Sequence, residues 1–353
     1  MAFFATVVKR SKLEPYARLV KFVEHVTKTI SRGIICALCL ACRGVSSCMD
    51  EQRKTVVKAE LDCISCVMAQ ALRAARMATD DAAVQRRILD AVAQRLPQLD
   101  LAESPAAISM CAYELAAELA GNPDPFRKQR REQNELALRL EPELRVLMRD
   151  SADPLVMGLY LSAAGNIIDL GTQHAHQIDI RAAVEQVIRE GFAVSHLDAF
   201  RQSLDRSANL LFLLDNAGEI VFDKLLIEEL IKHVRVTAVV KKGPIINDAT
   251  MEDAEQVALT KVCEVIDNGG AFIGSPLSRI PSWFRERLDA ADMIVGKGQG
   301  NYETVDDHPG DVYLILRAKC EIVARHMGVE YGQVGLISTR ARSDVAGARS
   351  VGV

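Results

Sequence analysis

The chain lacks a basic surplus. Its 43 lysines and arginines face 47 aspartates and glutamates over 353 residues, a net charge of −4, which argues against a nucleic-acid footprint. It also lacks an apolar run long enough to cross a bilayer. The best stretch, GIICALCLAC at 33–42, is about half the required length, and it begins too far in for a signal-peptide core. No internal repeat is present, and no glycine-rich turn closes the apolar run Leu210–Leu214. The cysteines at 63, 66, 111, 263 and 320 are scattered, without a disulfide framework, and suit a reducing cytoplasm.

What remains is the composition of an ordinary globular protein, 49% apolar and 25% charged. Residues 1–48 stand apart. They carry eight lysines and arginines against two acids (+6), leaving −10 for residues 49–353. They also hold Cys36, Cys39, Cys42 and Cys48, whose spacing is a weak match to an iron–sulfur or zinc site. The plainer expectation is a dispensable extension, disordered or produced by upstream translation, with the functional protein starting at Met49.

From 49 to 205 the pattern is helical, with apolar residues at three-to-four spacing and breakers at Pro97, Pro105 and GNPDP (121–125). No strand is expected there. After residue 206 strands and helices alternate: strands at 209–214, 235–241, 263–267, 292–296 and 311–316, helices near 219–233, 251–260, 281–290 and 319–327. That order predicts a parallel sheet with helices on both faces over 206–345, followed by a short tail at 346–353.

The turns after these strands collect polar residues. Leu210–Leu214 runs into DNAGE (215–219), the second strand into KKGPIINDAT (241–250), and the fourth into GKGQGNYET (296–304). In a parallel sheet these turns share one edge, where α/β proteins place ligands. A dinucleotide or S-adenosylmethionine would require glycines in the first turn, which instead begins with a carboxylate and an amide. Asp215, Asn216 and Asp248 offer oxygen ligands to a hard cation such as magnesium or manganese. An Asx turn with a helix cap explains Asp215 and Asn216 equally well. Lys242 and Lys297 are placed to neutralise phosphate oxygens, although each also reads as a solvated strand end. An aspartyl-phosphate route is disfavoured, because Ala217 stands where its second acid belongs. Cys63 and Cys66 form one C-x-x-C, half a zinc site, with a metal or redox role weighed against two packed core residues. His174 and His176 read as loop surface.

The segments LDCISC, DPFRKQRREQNELAL, ADPLVMGLYLSAAGNIIDLG, LLDNAGEIVFDKLLIEEL, VVKKGPIINDATMEDA, MIVGKGQGNYETV and LILRAKC together resemble the damage-control phosphatases, a metal-dependent family long catalogued as a domain of unknown function. The C-x-x-C places the likeness near its prokaryotic branch. The resemblance implies a three-layer α/β/α Rossmann-like domain with an N-terminal helical domain. It implies a manganese, cobalt, nickel or magnesium ion on Asp215, Asn216 and Asp248, and small phosphometabolites such as sugar phosphates or damaged nucleotide and cofactor phosphates as substrates. Family matches also fall on Asn166, Asp169, Glu219, Lys242, Lys297, Asn301 and Glu303. The expected reaction is phosphomonoester hydrolysis, with Asp248 or Glu303 orienting water and Asn134, Asn166 and Asp169 closing over the substrate. A carboxyl methyltransferase and a non-catalytic metal or redox sensor are the competing readings.

Overall fold

A computed structural model of the chain describes residues 56–167 and 180–340. The cysteines of the opening segment, the tail at 346–353, Asp169, His174 and His176 lie outside the described residues. Five helices open the fold: α1 (Leu61–Ala78), α2 (Ala82–Arg95), α3 (Pro105–Ala120), α4 (Arg127–Asp150) and α5 (Pro154–Ile167). Their starts reflect local chemistry. Asp81 accepts from Ala83 N at 2.8 Å to cap α2, and Ser104 accepts from Ala107 N at 3.2 Å to cap α3, with Pro105 in the first turn. Then come α6 (Ile180–Glu190), the short strand β1 (Val194–Ser195) and α7 (Leu197–Arg206).

The alternating half supplies β2 (Asn209–Leu213), α8 (Glu219–Leu230), β3 (Arg235–Val240), α9 (Met251–Gln256) and β4 (Glu264–Asp267). It continues with α10 (Ser282–Asp289), β5 (Met293–Lys297), α11 (Gly298–Val305), β6 (Val312–Arg317), α12 (Glu321–Met327) and β7 (Val334–Ser338). The strands join in one sheet in the order β1-β7-β6-β5-β2-β3-β4. Every neighbouring pair is parallel except β6 and β7. The all-parallel expectation is corrected at that edge, as is the expectation of no strand before residue 206. β1 is only two residues long and β7 comes after the last expected helix without a strong turn signal, so neither stands out in sequence.

Helices cover both faces, and the period-2 alternation of the strands sorts the core into two layers. Leu210, Phe212, Val236, Ala238, Met293, Val295, Tyr313 and Ile315 pack with residues of α4 to α8. Leu211, Leu213, Val239, Ile294, Val312 and Leu314 pack on the opposite face with residues of α1 to α3 and α10 to α12. Among the described residues no helix is long and apolar enough to cross a membrane.

One close approach between helices delivers a polar side chain to the sheet edge. Helix α5 lies against α8 through Gly165, where an added Cβ would sit 3.2 Å from the Phe222 ring. The adjacent residue, Asn166, is thereby brought to the carboxyl ends of the strands. Gly165→Val is expected to separate these helices and cost about 1–3 kcal/mol of stability, read as a lower urea midpoint. An unchanged midpoint would show that the interface tolerates the extra volume.

Candidate active site

Adjacent parallel strands send their chains into separate loops, yet here two loops are tied together. Beyond β2, Ala249 N donates to Asp215 O and Ala217 N donates to Asn247 O, each at 2.8 Å. Asn216 and Asp248 therefore face each other in an isolated antiparallel bridge. Helix α4 holds both loops from one side, with Arg130, Gln133 and Asn134 at one-turn spacing. Asn134 Oδ1 accepts from Gly218 N at 2.7 Å, and its Nδ2 donates to Asp253 Oδ1 and Gln256 Oε1, both at 2.8 Å. Asn247 Nδ2 donates to Gln133 Oε1 at 3.2 Å. Arg130 Nε donates to Asp253 Oδ2 at 3.1 Å, the same carboxylate that caps the start of α9 through Thr250.

The tied loops bury three carboxylates, Asp215, Glu219 and Asp248. Asn216 Nδ2 donates to Asp215 Oδ2 at 2.9 Å and to Glu219 Oε1 at 2.7 Å. Asn166 Nδ2 approaches both Glu219 oxygens at 3.1 Å and Asp215 Oδ2 at 3.4 Å, while its Oδ1 accepts from Arg317 N at 3.0 Å. Asp215 fits only because Gly298 (φ 74°) has no side chain: a Cβ there would stand 1.8 Å from Asp215 Oδ2. Burial, then repulsion from Glu219 and Asp248, drives the Asp215 carboxyl well above its usual range. Burial also raises Asp248, with Lys241 opposing and Glu219 reinforcing. Lys241 Nζ donates to Gly274 O at 2.6 Å and lies 3.5 Å from Asp248 Oδ2, which accepts no hydrogen bond among the described residues.

These groups open onto a cleft of about 500 Å³ that Asp215, Asn216, Asp248, Glu219, Asn166 and Glu303 all line. Other expected residues fall elsewhere. Lys242 is exposed and does not line the cleft; Lys241, one residue earlier, has the register that faces Asp248. Lys297 shares the parity of Met293 and Val295 and so points behind the site. There, fully buried, it donates to Asp223 Oδ1 at 2.8 Å and Ser162 O at 2.9 Å and lies 3.5 Å from Glu219 Oε2. Burial works to lower the Lys297 pKa, but Asp223 and Glu219 hold it above its ordinary value. Asn301, also buried, donates to Leu214 O at 3.1 Å and Lys297 O at 2.8 Å, bracing the end of β2 rather than facing a substrate. Asn134 is likewise buried against the loops, outside the cleft lining.

Sequence reasoning missed Lys319. It is exposed on the loop after β6, lines the cleft and acts electrostatically on both Asp215 and Asp248. Its signal was a second cation, two positions after Arg317, on the turn following a strand in LILRAKC.

The damage-control phosphatase ARMT1-like domain matches residues 59–334. The chain belongs to that family. Its relatives include damage-control phosphatase PH1575 of Pyrococcus horikoshii, 30% identical over 280 residues, which are 78% of this chain and 96% of that protein. Another is a damage-control phosphatase of Archaeoglobus fulgidus, 31% identical over 77% of this chain and 96% of that one. The crystal structure of the Pyrococcus DUF89 protein superposes with a TM-score of 0.73 at 29% identity, covering 80% of this chain and 99% of that one. The names of these relatives support a phosphatase role for this damage-control family member.

The donor set is compatible with a hard divalent cation. Two buried carboxylates and an amide converge, Asp248 Oδ2 accepts no hydrogen bond among the described residues, and the cluster carries more negative than positive charge at close range. Among the described residues no three His, Cys, Asp or Glu side chains are grouped to hold a metal, so an ion here would need the Asn216 oxygen and water. Cys63 and Cys66 line the same cleft, joined by Cys320. Burial raises the Cys63 and Cys320 thiols above their ordinary values; both are thus protonated at neutral pH.

Glu303 takes two hydrogen bonds, from Ala106 N at 2.7 Å and Gln299 Nε2 at 2.8 Å, tying α11 to the start of α3. Burial still pushes it to about 7. Because this folded-state value is raised, the folded protein binds the proton more tightly, and stability falls as pH rises from about 4.5 to about 7. Glu303→Gln removes that dependence. Its stability relative to wild type should improve by up to about 3 kcal/mol between pH 4.5 and 8. Denaturant melts at the two pH values check this, and an equal difference at both would show that Glu303 ionises normally.

Proposed function

We propose that the chain is a metal-dependent phosphatase of small phosphate monoesters. The observation that supports this most directly is the convergence of Asp215, Asn216 and Asp248 from two tied loops onto a cleft that also presents Lys319. Manganese, cobalt, nickel or magnesium would be held by those three side chains. Bound there, such an ion would supply Lewis acidity, polarising the phosphoryl group and lowering the pKa of water.

The chain's own residues do the rest. Lys319 offsets charge on the phosphoryl oxygens, a place that Lys242 and Lys297 do not reach. Asn166 and Asn216 hold Glu219 and Asp215 in fixed orientations, so negative charge stays directed at one point. Lys297 and Asp223 form a buried pair behind Glu219 that limits repulsion within the cluster. Glu303, near neutrality on the cleft wall, exchanges a proton with water or with the departing alkoxide. A cavity of about 500 Å³ accommodates a single small phosphometabolite, a sugar phosphate or a damaged nucleotide or cofactor phosphate.

Phosphate release from p-nitrophenyl phosphate is expected to stop in EDTA and return with manganese or cobalt. Undiminished turnover in the chelator refutes the metal role. Asp215→Ala and Asp248→Ala should each lower kcat at least about 100-fold with the fold preserved by circular dichroism. Lys319→Ala should lower kcat/KM by about 100-fold. Near-wild-type rates in all three variants would place the chemistry elsewhere.

A further inference from the structure

Gln133 takes no part in the chemistry above, yet it lines the cleft at only 2% exposure. Its Oε1 accepts from Asn247 Nδ2 at 3.2 Å, which leaves the nitrogen as the other end of the amide. That nitrogen, Nε2, is buried and donates to nothing among the described residues. The side chain has no easy retreat, because Arg130 and Asn134 on the same face of α4 are fastened to Asp253 and Gly218. Buried amide donors almost always find an acceptor, and this one borders the space a substrate would fill.

Its surroundings indicate what the acceptor is. The neighbouring wall carries Tyr113, whose hydroxyl makes no hydrogen bond among the described residues and whose pKa burial pushes up to about 12, so it too stays a donor. Among the described residues Tyr113 is the lone aromatic side chain lining the cleft, so a nucleobase would find no second ring to stack between. Asp62 and Glu321 line the same space and can accept from hydroxyl groups.

We infer that Gln133 is a specificity-determining residue whose Nε2 donates to an oxygen on the substrate's leaving group, so that esters of hydroxylated alcohols are selected over esters presenting only carbon there. This rests on the phosphatase reading. A site built around such a donor discriminates strongly against ligands that leave it unpaired.

The test measures kcat/KM for p-nitrophenyl phosphate and for the fastest hydroxylated ester in a panel of glycerol and hexose phosphates. Gln133→Glu keeps an acceptor for Asn247 while removing the donor, and Gln133→Met removes both, so one informative variant suffices if the other fails to fold. In either, the ratio of hydroxylated to p-nitrophenyl ester should fall about tenfold, the loss of one hydrogen bond. General damage to the loops lowers both rates together and leaves the ratio unchanged; that result overturns the inference. So does a wild-type enzyme that cleaves p-nitrophenyl phosphate but no hydroxylated ester. Wild type inactive on every ester with every metal instead sinks the phosphatase reading itself.

Discussion

Negative charge buried faster than it is neutralised is the constraint around which this protein is arranged. Asp215, Glu219 and Asp248 sit within one small volume at the carboxyl edge of the sheet, and burial and repulsion oppose the ionisation of Asp215 and Asp248. The chain answers with fixed dipoles rather than with equal counter-charge: the amides of Asn166 and Asn216 donate to Asp215 and Glu219. Lys241 and Lys297 stand behind the cluster, leaving its front to the cleft. A preorganised acidic pocket of this kind is costly to the empty fold, and under the proposed reading a bound cation would offset that cost.

Holding such a cluster requires a rigid frame, and the frame is mostly backbone. Two reciprocal amide–carbonyl bonds join the loops after β2 and β3, so Asp215 and Asp248 cannot move independently. Buried side chains of α4 then fasten those loops from outside the sheet, through Gly218 and Asp253. Thus a helix that contributes no carboxylate to the site still decides where the carboxylates are. The strand order β5-β2-β3 brings a third loop alongside, and Gly298 lets it pass against Asp215.

Much of this was legible in the sequence, and the reasons are specific. The unbroken apolar run Leu210–Leu214 fits a doubly buried strand, and its abrupt end at Asp215 marked the loaded edge. Asn166, Glu219 and Glu303 were carried by family likeness and all reach the cleft. What escaped were side-chain parities and long-range neighbours. Lys241 and Lys242 are chemically identical, and only the register of β3 decides which faces Asp248. Lys297 looked like a phosphate ligand until its parity with Val295 turned it inward. Lys319 becomes a site residue through the placement of β6 beside β5, which no local pattern reveals. Gln133 looked like one more polar residue on a heavily charged helix, and its burial depends on loops more than a hundred positions away.

The two walls of the cleft are fastened very differently. On the α4 side the ties are buried: Arg130 and Asp253 are each under 5% exposed, so swinging this wall outward would strand charge without water. On the α1 side the ion pair to α12 is Arg325–Glu60, with both partners roughly half in solvent. Water can replace that contact at little expense. Charge thus locks the cleft on its α4 side, whereas α1 is held by its buried apolar face.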